Sequence, residues 1–363
     1  MLKNNDFPVA THSYFKASNL HEEYLKFISS SDYIPNFDYP NRFNEKIILS
    51  RLSDVGLNSP ERKSLECALA GSRLQTDVSQ LENFRKANEA LFGLPNELYA
   101  KAILSRMLES ALATKNVYYD EIIEMIGVVP KPCVQLEPSK ETFAKYKDFF
   151  NKYREVSTNH SHDTFSAIQQ ELAKSMLNDT DWTVESIDGH SAALTSHKTK
   201  KILIGKLYSP RTRLASERIA VHEVYGHALR GPQLSIAESE GFALVLEQLL
   251  SSRFKLRRSY RYLAASLGWG YFGQPMNFRQ VYEVIWRVMI ISSRYSEENA
   301  KKHAFNECYR VFRGGRPDLA GAIYLKDITY LQANIDVWNM LMFKDFSYNE
   351  FIDIIEGRLT ILK

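Results

Sequence analysis

Cysteine is nearly missing from this chain: Cys67, Cys133 and Cys308 are all it has in 363 residues. An odd number at no metal-like spacing excludes a disulfide framework and fits a reducing compartment, so a cytoplasmic protein is expected. Long apolar runs are missing too. None approaches the roughly 18 residues a transmembrane helix needs, and no membrane span is predicted. The first residues, Met-Leu-Lys-Asn-Asn-Asp-Phe-Pro, lack the apolar segment of a secretory signal. Neither sign of charge dominates: 46 Lys and Arg against 43 Asp and Glu leave +3. So near-neutral a balance implies no nucleic-acid or membrane partner. There is no internal repeat and no low-complexity tract. The chain holds no Gly-x-Ser-x-Gly elbow, which argues against a serine hydrolase. Its one glycine-rich stretch, 268–273, follows a predicted helix rather than a strand, so the dinucleotide fingerprint does not apply.

What is present suits a large core: 44% of residues are apolar and 12% aromatic. Length suggests one large or two modest domains. Residues 21–30, 42–54, 59–72, 76–92, 96–115, 118–126, 138–156 and 163–177 read as helices, with Asn96 as a cap. His160 and His162 precede the last of these and are read as an exposed helix entry. The only strong β signal is three short runs, Trp182–Ile187, Ala193–Ser196 and Lys201–Leu207, separated by turn residues. They predict a small antiparallel sheet, whose edge could pair with an extended peptide. Arg253, Lys255, Arg257, Arg258 and Arg261 are read as a solvated helix face. Further helices are expected at 278–294, after Ser296, at 324–342, and after Ser347, which with Glu350 makes a capping box. The expected organisation is a lead-in over 1–20, a helical region over 21–177 and a second region over 178–363. The last two are expected to pack as one unit.

The stretch over 209–250 carries the chemistry. Ser209 and Pro210 suit a helix start, and Gly231-Pro232 suits a stop. Between them lie His222, Glu223 and His227; a second helix, from Ile236 to Leu250, carries Glu238, Glu240 and Glu247. The usual zinc-hydrolase signature puts two histidines at i and i+4 on one helix face. Here the spacing is i and i+5, which on a regular helix turns the second ring about 140° past a full turn. A π-bulge, eased by Gly226, would restore the alignment. Zinc in hydrolytic sites takes three protein ligands and keeps one position open. Glu240 is the expected third ligand, with small Ala237 and Gly241 letting the helices approach. Glu223, beside the first histidine, is the expected general base.

These residues resemble the microtubule-associated tyrosine carboxypeptidase family, whose bacterial members are called QEGLA-motif proteins. Its mark is His-Glu-x-x-x-His continuing to Leu-Arg, then Glu-Gly-Leu-Ala. The counterparts here are His222-Glu223-Val224-Tyr225-Gly226-His227-Ala228-Leu229-Arg230 and Glu240-Gly241-Phe242-Ala243. Looser matches are Pro35-Asn36-Phe37-Asp38-Tyr39, the run from Phe84 to Pro95, Arg310-Val311-Phe312-Arg313-Gly314 and Lys326-Asp327-x-x-Tyr330. Ser239 departs from the pattern where the family commonly has another acid, and the link from His227 to Glu240 is short.

The resemblance implies an α+β, mainly helical, zincin-like metallopeptidase with a small antiparallel sheet next to the metal-binding helix. It implies one zinc per chain and removal of a C-terminal residue, tyrosine in the best-known members, from a peptide or protein. A carboxypeptidase must grip a free carboxylate, for which Arg310 and Arg313 are the candidates. Tyr330 is the candidate oxyanion donor. An inactive metal-binding protein of the same fold and an endopeptidase are the alternatives.

Overall fold

The computed structural model describes residues 79–112, 116–127, 134–157, most of 173–187, 193–205, 212–231, 234–254, 259–293, 295–312 and 317–362. The helices expected before residue 76, the extended stretch 33–40, and His160 and His162 lie outside the described residues. Fifteen elements follow in chain order. They are α1 (Ser79–Phe92), α2 (Glu97–Leu112), α3 (Val117–Ile126), α4 (Lys140–Ser157), β1 (Thr183–Ile187), β2 (Ala193–Ser196), β3 (Lys201–Gly205) and α5 (Arg213–Tyr225). Then come a 3-10 turn (Ala228–Arg230), α6 (Ile236–Ser251), α7 (Ser259–Trp269), α8 (Phe278–Ser293), α9 (Glu297–Phe312), α10 (Lys326–Lys344) and α11 (Tyr348–Ile355). The fold is mainly helical α+β. Among the described residues, no helix is long and apolar enough to cross a membrane.

The described residues fall into two units, each assembled from separated segments. One comprises 79–136 and 257–331, the other 137–256 and 332–363. The first is all helical. α8 is apolar around most of its girth, burying Phe278, Val281, Val284, Ile285, Val288 and Met289, and α9 packs along it. Asn96 caps α2 through its side chain, accepting from Leu98 N at 2.9 Å. Arg261 pairs with Glu307 and stands 3.8 Å from Asp327, so it serves an internal ion cluster rather than a solvated face.

The second unit holds the stretch with the histidines. Its core is built on α6, whose Phe242, Val245, Leu246 and Leu249 are buried against Val221 and Val224 of α5, Trp338 and Leu341 of α10 and Tyr146 of α4. The Ser347–Glu350 capping box opens α11 as expected. A buried amide pair ties α6 to α10: Gln248 and Asn334 exchange hydrogen bonds at 2.9 and 3.1 Å, and Trp338 Nε1 donates to Gln248 at 2.7 Å. Buried polar groups are tolerated when mutually satisfied in this way.

The sheet corrects the sequence reading. Its order is β1-β3-β2, with β1 parallel and β2 antiparallel to β3. It is therefore mixed rather than antiparallel. β3 carries the buried run Ile202, Leu203, Ile204. That run takes the centre, where both of its edges find partners, and β1 joins it from the far side.

Candidate metal centre

α5 starts later than the sequence suggested. Its cap is Thr212, whose hydroxyl accepts from Ala215 N at 3.2 Å; Ser209 and Pro210 lie outside the described residues. The helix also ends sooner. It stops at Tyr225, and His227 stands beyond it at φ −122° and ψ −63°. The expected π-bulge within a continuous helix is thus replaced by a helix end. One trace of a wide turn survives, because the Gly226 N–H is shared between His222 O at 3.1 Å and Val221 O at 3.3 Å. Leaving the helix frees His227 to swing back, and the two imidazole rings meet with centroids 4.9 Å apart.

Gly226 is needed for space rather than for an unusual backbone. Its φ is −78°, open to any residue. A Cβ built there would overlap the Ala243 methyl and stand 2.9 Å from Ala243 Cα. The close approach of α5 and α6 therefore runs through Gly226 and Ala243. Gly241, expected to serve that approach, faces α10 instead, where a Cβ would stand 2.5 Å from Ala333 O. Gly226→Ala is expected to cost about 1–3 kcal/mol, the usual range for overpacking. Urea unfolding should register it as a lower midpoint at unchanged slope; an unchanged midpoint would mean the two helices have slack.

Glu240, on the second turn of α6, faces both histidines. Its Oε2 lies 3.4 Å from His222 Nε2 and 3.8 Å from His227 Nε2. One donor atom from each of the three residues falls within 4.8 Å of the others. Tetrahedral zinc, with bonds of about 2.0–2.2 Å, sets its donors roughly 3.4 Å apart. The trio therefore needs only small side-chain adjustments to close around an ion.

The other ring nitrogens are held by residues the sequence reading had given no role. Ser239 Oγ donates to Gly226 O at 3.2 Å, so at 2.6 Å from His227 Nδ1 it accepts that ring's N–H. Glu247 Oε1 accepts from His222 Nδ1 at 2.9 Å, and Arg218 binds the other carboxylate oxygen. With Nδ1 so engaged, both rings turn Nε2 toward Glu240. Metal-binding histidines are commonly fixed in this manner, by a hydrogen bond from the far nitrogen. Seven steps along α6 separate Glu240 from Glu247, close to two full turns and so one face. That spacing was the available signal for Glu247. Ser239 and Thr195 had none.

Glu223 is buried, and Thr195 of β2 donates to its Oε2 at 2.6 Å. Burial raises its pKa above the usual carboxylate range; the nearby His222 and the Thr195 hydrogen bond oppose that, while Glu240 and Glu247 add to it. Burial works against a charged His222. Hydrogen bonds to Glu240 and Glu247 and the charge of Glu223 outweigh it and raise the ring's pKa well above the usual histidine value. Three carboxylates, Glu223, Glu240 and Glu247, thus gather around the two histidines, and Arg218 pairs with Glu247. A divalent cation between two imidazoles and a carboxylate fits that donor chemistry.

Of the other sequence candidates, Arg310 and Tyr330 are half-buried residues of the 79–136 and 257–331 unit, on α9 and α10. Arg310 Nε donates to the buried Asp327 at 3.2 Å. Arg313 lies outside the described residues. No protein-family model, curated protein or solved structure matches this chain.

Proposed function

We propose that this chain is a zinc-dependent metallopeptidase of zincin-like fold, and a carboxypeptidase that removes a C-terminal residue from a peptide or protein. The observation that carries the reading is the convergence of His222 Nε2, His227 Nε2 and Glu240 Oε2, with both far ring nitrogens held by Glu247 and Ser239. Buried Glu223 beside them adds the base such a hydrolase needs. The resemblance to the tyrosine carboxypeptidase family points the same way and supplies the exopeptidase part of the reading.

His222, His227 and Glu240 would hold the zinc. Zinc in such a site supplies an acidified water and a Lewis acid for the scissile carbonyl. Glu223 takes the proton as the water oxygen adds to the carbonyl carbon. The Thr195 hydroxyl, donating to Glu223 Oε2, holds the carboxylate in place for that task. As the C–N bond breaks, Glu223 returns the proton to the leaving amine. Tyr330 is the proposed donor to the developing oxyanion, and Arg310 or Arg313 the proposed grip on the terminal carboxylate.

Metal content tests the base of this reading. Protein purified without chelator should carry about one zinc per chain, as a three-ligand site predicts. His222→Ala and Glu240→Ala should each lose most of it. A chelator should abolish release of C-terminal residues from peptides, and added zinc should restore it. Full zinc retention in either variant removes that residue from the ligand set.

A further inference from the structure

The link between His227 and Glu240 is anchored from outside the site. Arg230, at the end of the 3-10 turn, and Glu238, in the first turn of α6, form an ion pair at 2.9 Å with side chains 0% and 4% exposed. Arg230 N also bonds His227 O at 3.2 Å, so the guanidinium sits one turn from the second histidine. Glu238 is two residues before Glu240. The pair also reaches the C-terminal segment. Arg230 Nε donates to Ile354 O at 3.0 Å, and Ile361 N donates to Glu238 Oε1 at 2.8 Å. Arg230 Nη1 adds a bond to Glu238 O at 3.3 Å, and the guanidinium lies over the Phe242 ring at 4.5 Å from its centroid.

A wholly buried ion pair is a poor source of stability, since desolvating both charges consumes most of their attraction. Burial here pulls the Arg230 pKa down to about 10, against the pull of Glu238. Where such a pair is kept, fixing one arrangement among several is its best-attested use. This one fixes the short connection whose two ends carry a histidine and a glutamate ligand. Its planar fork and carboxylate each bind backbone as well as one another, so a small rotation of either would break several bonds together.

We infer that Arg230 and Glu238 are positioning residues for the metal centre, and that the segment from Ile354 to Ile361 is part of its frame. The inference rests on the metal-site reading above. The pair touches neither the metal nor the substrate. It acts by holding the turn of His227 and the start of α6 at the separation that closes the three donors. Binding is reciprocal, so metal at the centre must in turn stabilise the C-terminal segment.

The test has two arms on the full chain, with zinc and cobalt(II) as probes. The double variant Arg230→Met, Glu238→Gln removes both charges at nearly constant volume and keeps an acceptor for Ile361 N. It should bind zinc about 10–100-fold more weakly in chelator competition, the usual effect of losing support behind a ligand. Its cobalt absorption spectrum should shift from that of the parent. Parental affinity and spectrum in the folded variant would overturn the inference. The second arm needs no variant. Zinc added to the parent should slow amide exchange at Gly357 and Ile361 together with exchange in 226–231. Protection confined to 222–247 would overturn the inference even if the double variant fails to fold. Failure of the parent to bind either metal would instead bring down the metal-centre reading, a result distinct from tight binding that is indifferent to Arg230 and Glu238.

Discussion

Glu223→Gln is expected to lower peptide hydrolysis about 10²–10⁴-fold while leaving zinc content and fold intact. That loss corresponds to roughly 3–5 kcal/mol of transition-state stabilisation. Glutamine has the shape of glutamate, and its amide oxygen can still accept the Thr195 hydroxyl that now bonds Glu223 Oε2 at 2.6 Å. What it lacks is a basic oxygen for the proton of the attacking water. Burial already disfavours the charged carboxylate at this position, so its replacement by a neutral amide should not unfold α5. Zinc per chain, circular dichroism and kcat for a short peptide separate the possibilities. Unchanged kcat in a zinc-loaded variant would mean that Glu223 is not the base and would end the proposed mechanism. Lost zinc would move Glu223 into the ligand set.

The candidate ligands were legible because they sit close together in sequence. His222, Glu223 and His227 form one motif, and Glu240 follows on the next apolar-periodic segment; local spacing carries that much. How His227 turns toward His222 was not legible. Five residues demanded a distortion, and both a widened helix and an ended one satisfy that demand. The choice fell to packing of Gly226 on Ala243, a contact between elements that no window of sequence contains. Thr195 illustrates the same limit. A threonine in a short strand looks ordinary until β2 lies against α5. The order of the sheet was also out of reach. The antiparallel expectation holds for β2 and β3, neighbours in sequence, whereas β1 passes β2 and pairs with β3 in parallel. Capping signals fared better where the chemistry is local, as at Asn96 and at Ser347 with Glu350. At α5 the cap is Thr212, whose hydroxyl accepts from Ala215 N three residues on.

Peptides ending in a free carboxylate should be trimmed from that end, and the same peptides ending in an amide should be left nearly untouched. A carboxypeptidase recognises the terminal charge next to the scissile bond, and an arginine fork does so through two parallel hydrogen bonds. Of the two proposed arginines, Arg310 is the one among the described residues. Asp327, itself buried, fixes its Nε at 3.2 Å and leaves the Nη1–Nη2 edge as the fork. Asp327 also lies 3.8 Å from Arg261, which binds Glu307 in turn. Among the described residues, both guanidiniums thus already have a carboxylate partner before any substrate arrives. That pairing puts the expected gain at the lower end of the roughly 2–5 kcal/mol seen for buried, hydrogen-bonded charge pairs. About 2–3 kcal/mol corresponds to a roughly 30- to 150-fold preference for acid over amide. Arg310→Ala or Arg313→Ala, whichever residue makes the grip, should shrink the preference toward unity, chiefly through KM for the acid peptide, with zinc content unchanged. Mass spectrometry of the products decides the polarity. Equal cleavage of acid and amide, or cuts at internal bonds, would make this an endopeptidase and remove the carboxylate grip from both arginines.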